Sequence, residues 1–360
     1  MKLEDLGYNS FFEVERIRLG LGDFGVGRVV FESRGAYKVK NENGEFLAKI
    51  TGKQMHEANS REDYPAVGDW VAITELDCEK AVIHAILPRK TIIKRKSGDK
   101  NRAGNKNDIQ VIGTNIDVAF AVESIGRDYN LNRLERYFAI AKDGGAQPAI
   151  IINKTDLASR EEMDLKMGEL KQRFKDIPII ATSAANDAGL DELEKYITRG
   201  KTYCFLGSSG VGKSSLINKL IGESGGIKTG NISKWNGRGQ HVTTSRQMYF
   251  LDNGSIVIDN PGMREVGLAD ASAGIDNLFD EITVLAKDCK YADCSHTQEP
   301  DCAVLAALKS GNLDKQKYEN YLNLKKEAEY YQMTKAKKRE KDRQFGKFIK
   351  NWKKQQKELK

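Results

Sequence analysis

Apolar and polar positions change their rhythm several times along the chain. Residues 27–31, 36–39, 46–50, 69–73 and 81–86 form short runs in which Val, Ile, Phe and Tyr recur, broken by Gly and Asn. Such residues suit a pleated, half-buried surface. Asn43-Gly44, between the second and third runs, is a two-residue hairpin signal. The spacing predicts an N-terminal β-barrel over 25–93, of the OB-fold type that closes a few strands in little chain. Residues 1–24 read as an extension with a short helix. The polar stretch 94–110, rich in Gly, Asn and Lys, reads as a linker or loop.

From residue 111 longer apolar runs alternate with amphipathic stretches. The runs fall at 117–122, 148–152, 178–181, 202–206 and 255–259, with 246–251 as an added strand. Helical periodicity falls at about 130–143, 160–174, 189–198 and 213–221. Strands alternating with helices predict an α/β domain over 111–274, a mostly parallel sheet with helices on both faces. Residues 275–332 read as a helical module interrupted by a Cys/His cluster, and 333–360 as a basic tail.

Composition narrows the class. With 39% hydrophobic and 30% charged residues, a chain of 360 can bury a sizeable core. No stretch approaches about 18 apolar residues, so no membrane span is expected. The start, Met1-Lys2-Leu3-Glu4-Asp5-Leu6, has acids where an export signal needs bases. A cytoplasmic, monomeric protein is the expectation. The net charge of +7 is uneven: residues 335–360 hold 12 of the 58 bases and 3 of the 51 acids, leaving 46 and 48 elsewhere. Such a block suits an arm for nucleic acid, or simply a solvated, frayed helix.

The chemistry lies in loops after the apolar runs. Gly207-Ser208-Ser209-Gly210-Val211-Gly212-Lys213-Ser214 fits the G-x-x-x-x-G-K-[ST] phosphate loop, in the strand-to-helix context that motif needs. Its glycines let successive N–H groups curl around an anion, and a helix N-terminus adds partial positive charge. Lys213 reaches the outer phosphates and Ser214 ligates Mg²⁺. Asn153-Lys154-Thr155-Asp156 follows the run at 148–152. The Asp156 carboxylate can accept from guanine's N1–H and exocyclic amine. Adenine offers neither donor and would leave that carboxylate unpaired, so the loop selects GTP and GDP. Ser183-Ala184 after the next run supplies a backbone N–H for guanine O6. Alone, an N-K-x-D turn is weak; beside a phosphate loop it is specific.

Asp259-Asn260-Pro261-Gly262 ends another strand, and by itself would be an ordinary turn. With a phosphate loop upstream, Asp259 holds Mg²⁺ through water and the Gly262 N–H meets the γ-phosphate. In the Gly-rich segment between, Thr244, or Thr243 beside it, is expected to complete the Mg²⁺ shell. Met263 stands where many GTPases carry a water-orienting Gln. His241, in the same Gly-rich segment, is the candidate for that catalytic role, the alternative being a structural or RNA-contacting imidazole. The base-reading loop thus precedes the phosphate loop, as in a fold whose old ends are joined and which is cut elsewhere.

Cys78 stands alone, and Cys204 lies in an apolar run that suits a buried thiol. Cys289-x₄-Cys294-x-His296-x₅-Cys302 is a complete tetrahedral zinc set with no open position, hence structural.

These features together resemble the ribosome small-subunit-dependent GTPase family (RsgA). The matching stretches are Gly68-Asp69-Trp70-Val71, Leu87-Pro88-Arg89, the N-K-T-D and phosphate loops, Gly237-Arg238-Gly239-x-His241, Asp259-x-Pro261-Gly262-Met263-Arg264-Glu265 and the Cys/His spacing. The resemblance implies an OB-fold, a circularly permuted P-loop GTPase domain and a zinc module. It implies a factor that binds the small ribosomal subunit and its rRNA late in maturation and leaves on GTP hydrolysis, with the equivalent of His241 serving hydrolysis. Val242 and Asn260 depart from the family's usual threonines. Two other readings are a permuted GTPase acting on the large subunit, which the barrel and Cys₃His set disfavour, and a non-catalytic GTP-sensing RNA-binding scaffold.

Overall fold

A computed structural model describes residues 1–33, 35–96, 109–126, 129–222, 246–259 and 271–333, with Lys337, Glu340 and Arg343 beyond. They divide into two compact units, Met1–Gly267 and Leu268–Lys360.

In the first unit, strands β1 (Gly25–Ser33), β2 (Ala36–Lys40), β3 (Glu45–Ile50), β4 (Trp70–Glu75) and β5 (Lys80–Ile86) pair in the order 1-2-3-5-4. β4 returns to β1, with Val26 opposite Ala72, so the barrel closes. The β3–β5 pair is parallel and the others antiparallel. A parallel pair needs a crossover, which the segment with helix Gly52–Glu57 helps to supply. This is the OB arrangement. Alternate burial along β2 and β3 sends Val39, Phe46 and Ala48 inward to meet Val29, Val71 and Ile83. Asn41 shapes the predicted hairpin, its Oδ1 accepting from the N–H groups of Asn43 and Gly44.

The N-terminal residues are part of this packing. Asn9 caps helix Ser10–Arg18, and Leu6 and Phe12 are buried with Val26, Trp70 and Leu87. After the barrel, β6 (Ile92–Lys96) pairs antiparallel with β7 (Ile109–Thr114). The ends of the stretch expected as a linker are therefore strand, because Ile93, Val111 and Ile112 are buried; residues 97–108 lie outside the described residues.

Next come β8 (Val118–Ser124), β9 (Gln147–Asn153), β10 (Ile179–Ala181), β11 (Thr202–Leu206), β12 (Arg246–Phe250) and β13 (Ile256–Asp259). Their order is β10-β9-β8-β11-β13-β12, parallel except for β12. Residues alternate across β8. Val118, Phe120 and Val122 join a core with Leu193, Leu216 and Ile217 from helices Leu190–Tyr196 and Lys213–Ile221. The buried Ala119 and Ala121 turn to the other face. Helices Leu131–Asp143 and Arg160–Arg173 complete the alternation. Phe31 of β1 pairs with Gln247 of β12, so barrel and parallel sheet share one ladder. Cys204, on β11, is fully buried, as expected.

The second unit is helical: Ser272–Leu278, Asp280–Ala286, Ala303–Lys309 and Lys315–Gln332. Its buried core includes Ile275, Phe279, Ile282, Val304 and Leu324. Among the described residues no helix is long and apolar enough to cross a membrane.

Candidate functional site

Strand order decides where a ligand can sit. From β8 the chain runs outward to β9 and β10, then returns to the other side of β8 as β11. Loops at the carboxyl ends of β8 and β11 therefore diverge, opening the crevice at which open α/β sheets bind ligands. The Gly207–Ser214 segment lies there, leaving β11 and entering helix Lys213–Ile221. Its N-cap, Gly212, has φ +97°, and a Cβ there would come within 2.1 Å of Asn153 Nδ2. Only glycine fits.

Lys213 Nζ donates to the Gly207 and Ser208 carbonyls, each at 2.7 Å. Burial pulls its pKa down to about 8, opposed by the charges of Asp259 and Glu123. A cation held in so dry a place is a strong attractor for phosphate oxygens. Asp259 ends β13, next to β11, and is buried.

Asn153 ends β9 and is buried. Its Nδ2 donates to the Val211 carbonyl at 2.8 Å, while its Oδ1 accepts from Thr182 Oγ1 at 3.2 Å. One amide side chain thus ties the segment after β9 to the phosphate loop and to the segment after β10. Lys154 takes a left-handed conformation, φ +63°. Thr155 then anchors the turn, with its N–H and its hydroxyl both donating to the Thr182 carbonyl at 3.2 Å. Asp156 is exposed, and its Oδ1 accepts from the Ser183 hydroxyl. That bond turns the carboxylate while leaving Oδ2 open. Ala184 is half-buried beside it.

The structure thus brings together Asn153, Lys154, Thr155, Asp156, Ser183, Ala184, the Gly207–Ser214 segment and Asp259. His241, Thr243, Thr244 and Gly262 lie outside the described residues. Two contributors escaped sequence reasoning. Thr182 carries the hydroxyl that orients Asn153, its only signal being its place before Ser183. The buried Tyr137, on helix Leu131–Asp143, shares a hydrogen bond with the Ser208 side chain. Nothing in its apolar helical face announces that.

In the second unit Cys289, Cys294, His296 and Cys302 bring one ligand atom each within 4.8 Å of one another. Cys289 Sγ lies 3.8 Å from Cys302 Sγ and 3.6 Å from His296 Nδ1, and Cys302 Sγ lies 3.5 Å from that nitrogen. Tetrahedral zinc with ordinary bond lengths requires edges of about 3.8 Å between sulfurs and about 3.6 Å from sulfur to nitrogen. The donor set and its size fit. His296 is held with φ +59°, and its carbonyl accepts from the Tyr318 hydroxyl at 2.6 Å. That bond fixes the backbone from outside the cluster.

A G-x-x-x-x-G-K-S loop at a sheet's switch point, laced to an N-K-x-D turn that comes earlier in the chain, defines a circularly permuted P-loop GTPase. Comparison agrees: the solved YloQ structure, titled a circularly permuted GTPase, superposes with TM-score 0.60 at 20% identity, covering 87% of this chain and 98% of that one. The crystal structure of YjeQ from Thermotoga maritima gives TM-score 0.62 at 26% identity, over 84% of this chain and 98% of that one. The RsgA GTPase family model matches residues 86–269. The small ribosomal subunit biogenesis GTPase RsgA 2 of Lactiplantibacillus plantarum is 41% identical over 305 residues, 85% of this chain and 84% of that protein. The chain belongs to the RsgA GTPase family.

Proposed function

We propose that the chain hydrolyses GTP in the cytoplasm while bound to the small ribosomal subunit and its rRNA, acts late in that subunit's maturation, and leaves once GTP is spent. The observation that carries the nucleotide half is the Asn153 amide joined to the Val211 carbonyl at 2.8 Å. Through it, a turn suited to guanine and a loop suited to phosphates form one rigid pocket. Asp156 accepts from the base, Ala184 N–H donates to its O6, and the Gly207–Ser214 amides with Lys213 hold the phosphates. Ser214 and Thr244 would hold the Mg²⁺ that shields phosphate charge, with Asp259 behind it. Gly262 N–H senses the γ-phosphate, and His241 orients the attacking water. Cys289, Cys294, His296 and Cys302 would hold one structural zinc. The ribosomal half rests on family membership and on the relative named for small-subunit biogenesis; the barrel, metal module and basic tail supply RNA-binding surface to a monomer.

The test is the GTPase rate of the purified chain alone, with small subunits and with large subunits. Stimulation by small subunits alone is expected, and His241→Ala should lower the stimulated rate about a hundredfold. Stimulation by large subunits alone refutes the ribosomal assignment. No hydrolysis under any condition leaves a GTP-sensing scaffold. A normal rate in His241→Ala removes the imidazole from the mechanism.

A further inference from the structure

At the opposite end of the parallel strands from the nucleotide loops lies a cleft of about 540 Å³. Four parts of the first unit wall it: Phe12 of the N-terminal segment, Arg28 of the barrel, Lys90, and the starts of β8, β9 and β11 at Val118, Gln147 and Thr202. Clefts at such joints, and of this size, are where small molecules bind.

Its floor holds an electrostatic anomaly. Arg28 is 1% exposed. Its guanidinium donates to the carbonyls of Leu6 at 2.5 Å, Asn115 at 3.2 Å and Gly68 at 3.3 Å, and to Thr202 Oγ1 at 3.0 Å. All four acceptors are neutral. Asp69 and Asp117 act on it only through space. Asp69 is committed to Arg89 at 2.7 Å, and Asp117 to Lys201 at 3.1 Å and the Thr202 N–H at 2.8 Å. Burial drags the arginine's pKa down to about 10, a sign of how poorly this site tolerates an unmatched cation.

Two more cations line the same cleft. Lys90 Nζ donates to Asn9 Oδ1 at 3.0 Å and sits 5.2 Å from the centre of the Phe12 ring. Lys201 shares the cleft with its partner Asp117. Three positive groups face one carboxylate, so the lining has an excess of two positive charges. Beside them the half-buried Tyr196 offers an aromatic surface, while Phe12, Ile116, Val118 and Tyr203 are buried. A water-filled cleft leaves the charge excess poorly matched, whereas a ligand with an anionic head and an apolar body matches both features.

We propose that this cleft binds a small organic anion, bearing phosphate or carboxylate on a compact apolar body, at the joint between barrel and parallel sheet. The head meets Lys90 and Lys201, with the buried charge of Arg28 adding to their field, and the body packs on the half-buried Tyr196. The occupant bridges the N-terminal segment, the barrel and the sheet, and so tightens the joint.

The test uses the full chain saturated with a non-hydrolysable GTP analogue and Mg²⁺, which fills the nucleotide site, its γ-phosphate position included, against other anions. Phenyl phosphate, benzoate and inorganic phosphate are titrated separately by calorimetry. One molecule of phenyl phosphate or of benzoate per chain is expected, tighter than inorganic phosphate, and the better of the two identifies the head group. Lys90→Glu and Lys201→Glu reverse charges at the cleft. At least about a tenfold loss of affinity in either, with an unchanged melting temperature, is expected. Lys171→Glu, exposed on helix Arg160–Arg173 and outside the cleft, should change nothing. The proposal is overturned if neither organic probe binds the wild type, if inorganic phosphate binds as well as both, or if both cleft variants bind like the wild type.

Discussion

The nucleotide loops and the Cys/His segment face the same problem and solve it in opposite ways. Each must hold polar groups convergent on a point. Each contains a non-glycine residue in the left-handed region, Lys154 in one and His296 in the other, at about 1–2 kcal/mol apiece. Around Lys154 the strain is offset by protein alone: Thr155 is pinned to Thr182, Asn153 to Val211, and Ile150, Ile151 and Ile152 are fully buried behind them. Residues 287–302 have no helix or strand, and Ala303–Lys309 beyond them is a seven-residue helix, too short to hold itself. The first site is built before its ligand arrives. The second, if it takes the proposed zinc, would be built by its ligand.

Metal removal is the widest way to break that contrast. A structural zinc contributes about 10 kcal/mol or more of folding free energy. Chelation of the purified chain, or Cys302→Ser, should therefore erase amide hydrogen-exchange protection in Ala303–Lys309 while β8, β9 and β11 keep theirs. Retained protection at 303–309 would mean the helical core holds the module by itself. Loss at β8 would mean that the two sites are not built independently.

Next in size is Asp156→Asn. Removing the carboxylate costs two charge-assisted hydrogen bonds to guanine, about 3 kcal/mol or a hundredfold in GTP affinity. A gain for xanthine nucleotides should accompany the loss, because xanthine offers a carbonyl to the new amide. Equal loss for both nucleotides would point to a collapsed loop, and so to a site less pre-built than claimed. Gly212→Ala probes the scaffold itself. The methyl would meet Asn153 Nδ2 at 2.1 Å with φ at +97°. Backbone strain plus a weakened Asn153–Val211 bond should cost about 2 kcal/mol, some thirtyfold in affinity, with guanine preference intact. Titration of both variants with GTP and xanthosine triphosphate separates the two effects.

How much of this was legible follows the same division. Buried parallel strands are continuous apolar runs, so β8, β9 and β11 and the loops after them could be read from local pattern. The Cys/His spacing was equally local. Long-range pairing was not. The Phe31–Gln247 pair joins strands more than 200 residues apart and leaves no periodic trace. The β6–β7 pair hides because Lys94, Arg95 and Lys96 give β6 a polar end next to a polar stretch. Residues 1–24 looked peripheral because a nine-residue helix with exposed Val14 and Ile17 has a weak apolar stripe. Leu6 and Phe12 are nevertheless buried against Trp70. Arg28 sits inside a strand-like apolar run, where no rule of spacing announces a fully buried cation.

The smallest expected effect is also the most direct gauge of a site prepared in advance. Burial lowers the Lys213 pKa from 10.5 to about 8, so the folded chain releases that proton at a pH where the unfolded chain still holds it. Stability should therefore rise with pH between about 8 and 10.5, and the cost of the buried cation is fully present below about 8. A bound triphosphate reverses the preference by favouring the ammonium, so GTP binding at alkaline pH must recruit a proton. With a pKa near 8, affinity should fall about fourfold between pH 7 and pH 8.5. The binding heat at pH 8.5 should differ between Tris and HEPES by roughly three-quarters of their ionisation difference. Lys213→Arg, always charged, should show no such buffer dependence. Equal heats in the two buffers for the wild type would mean that Lys213 is already fully charged before GTP binds, and that its setting is wetter than the packed loop implies.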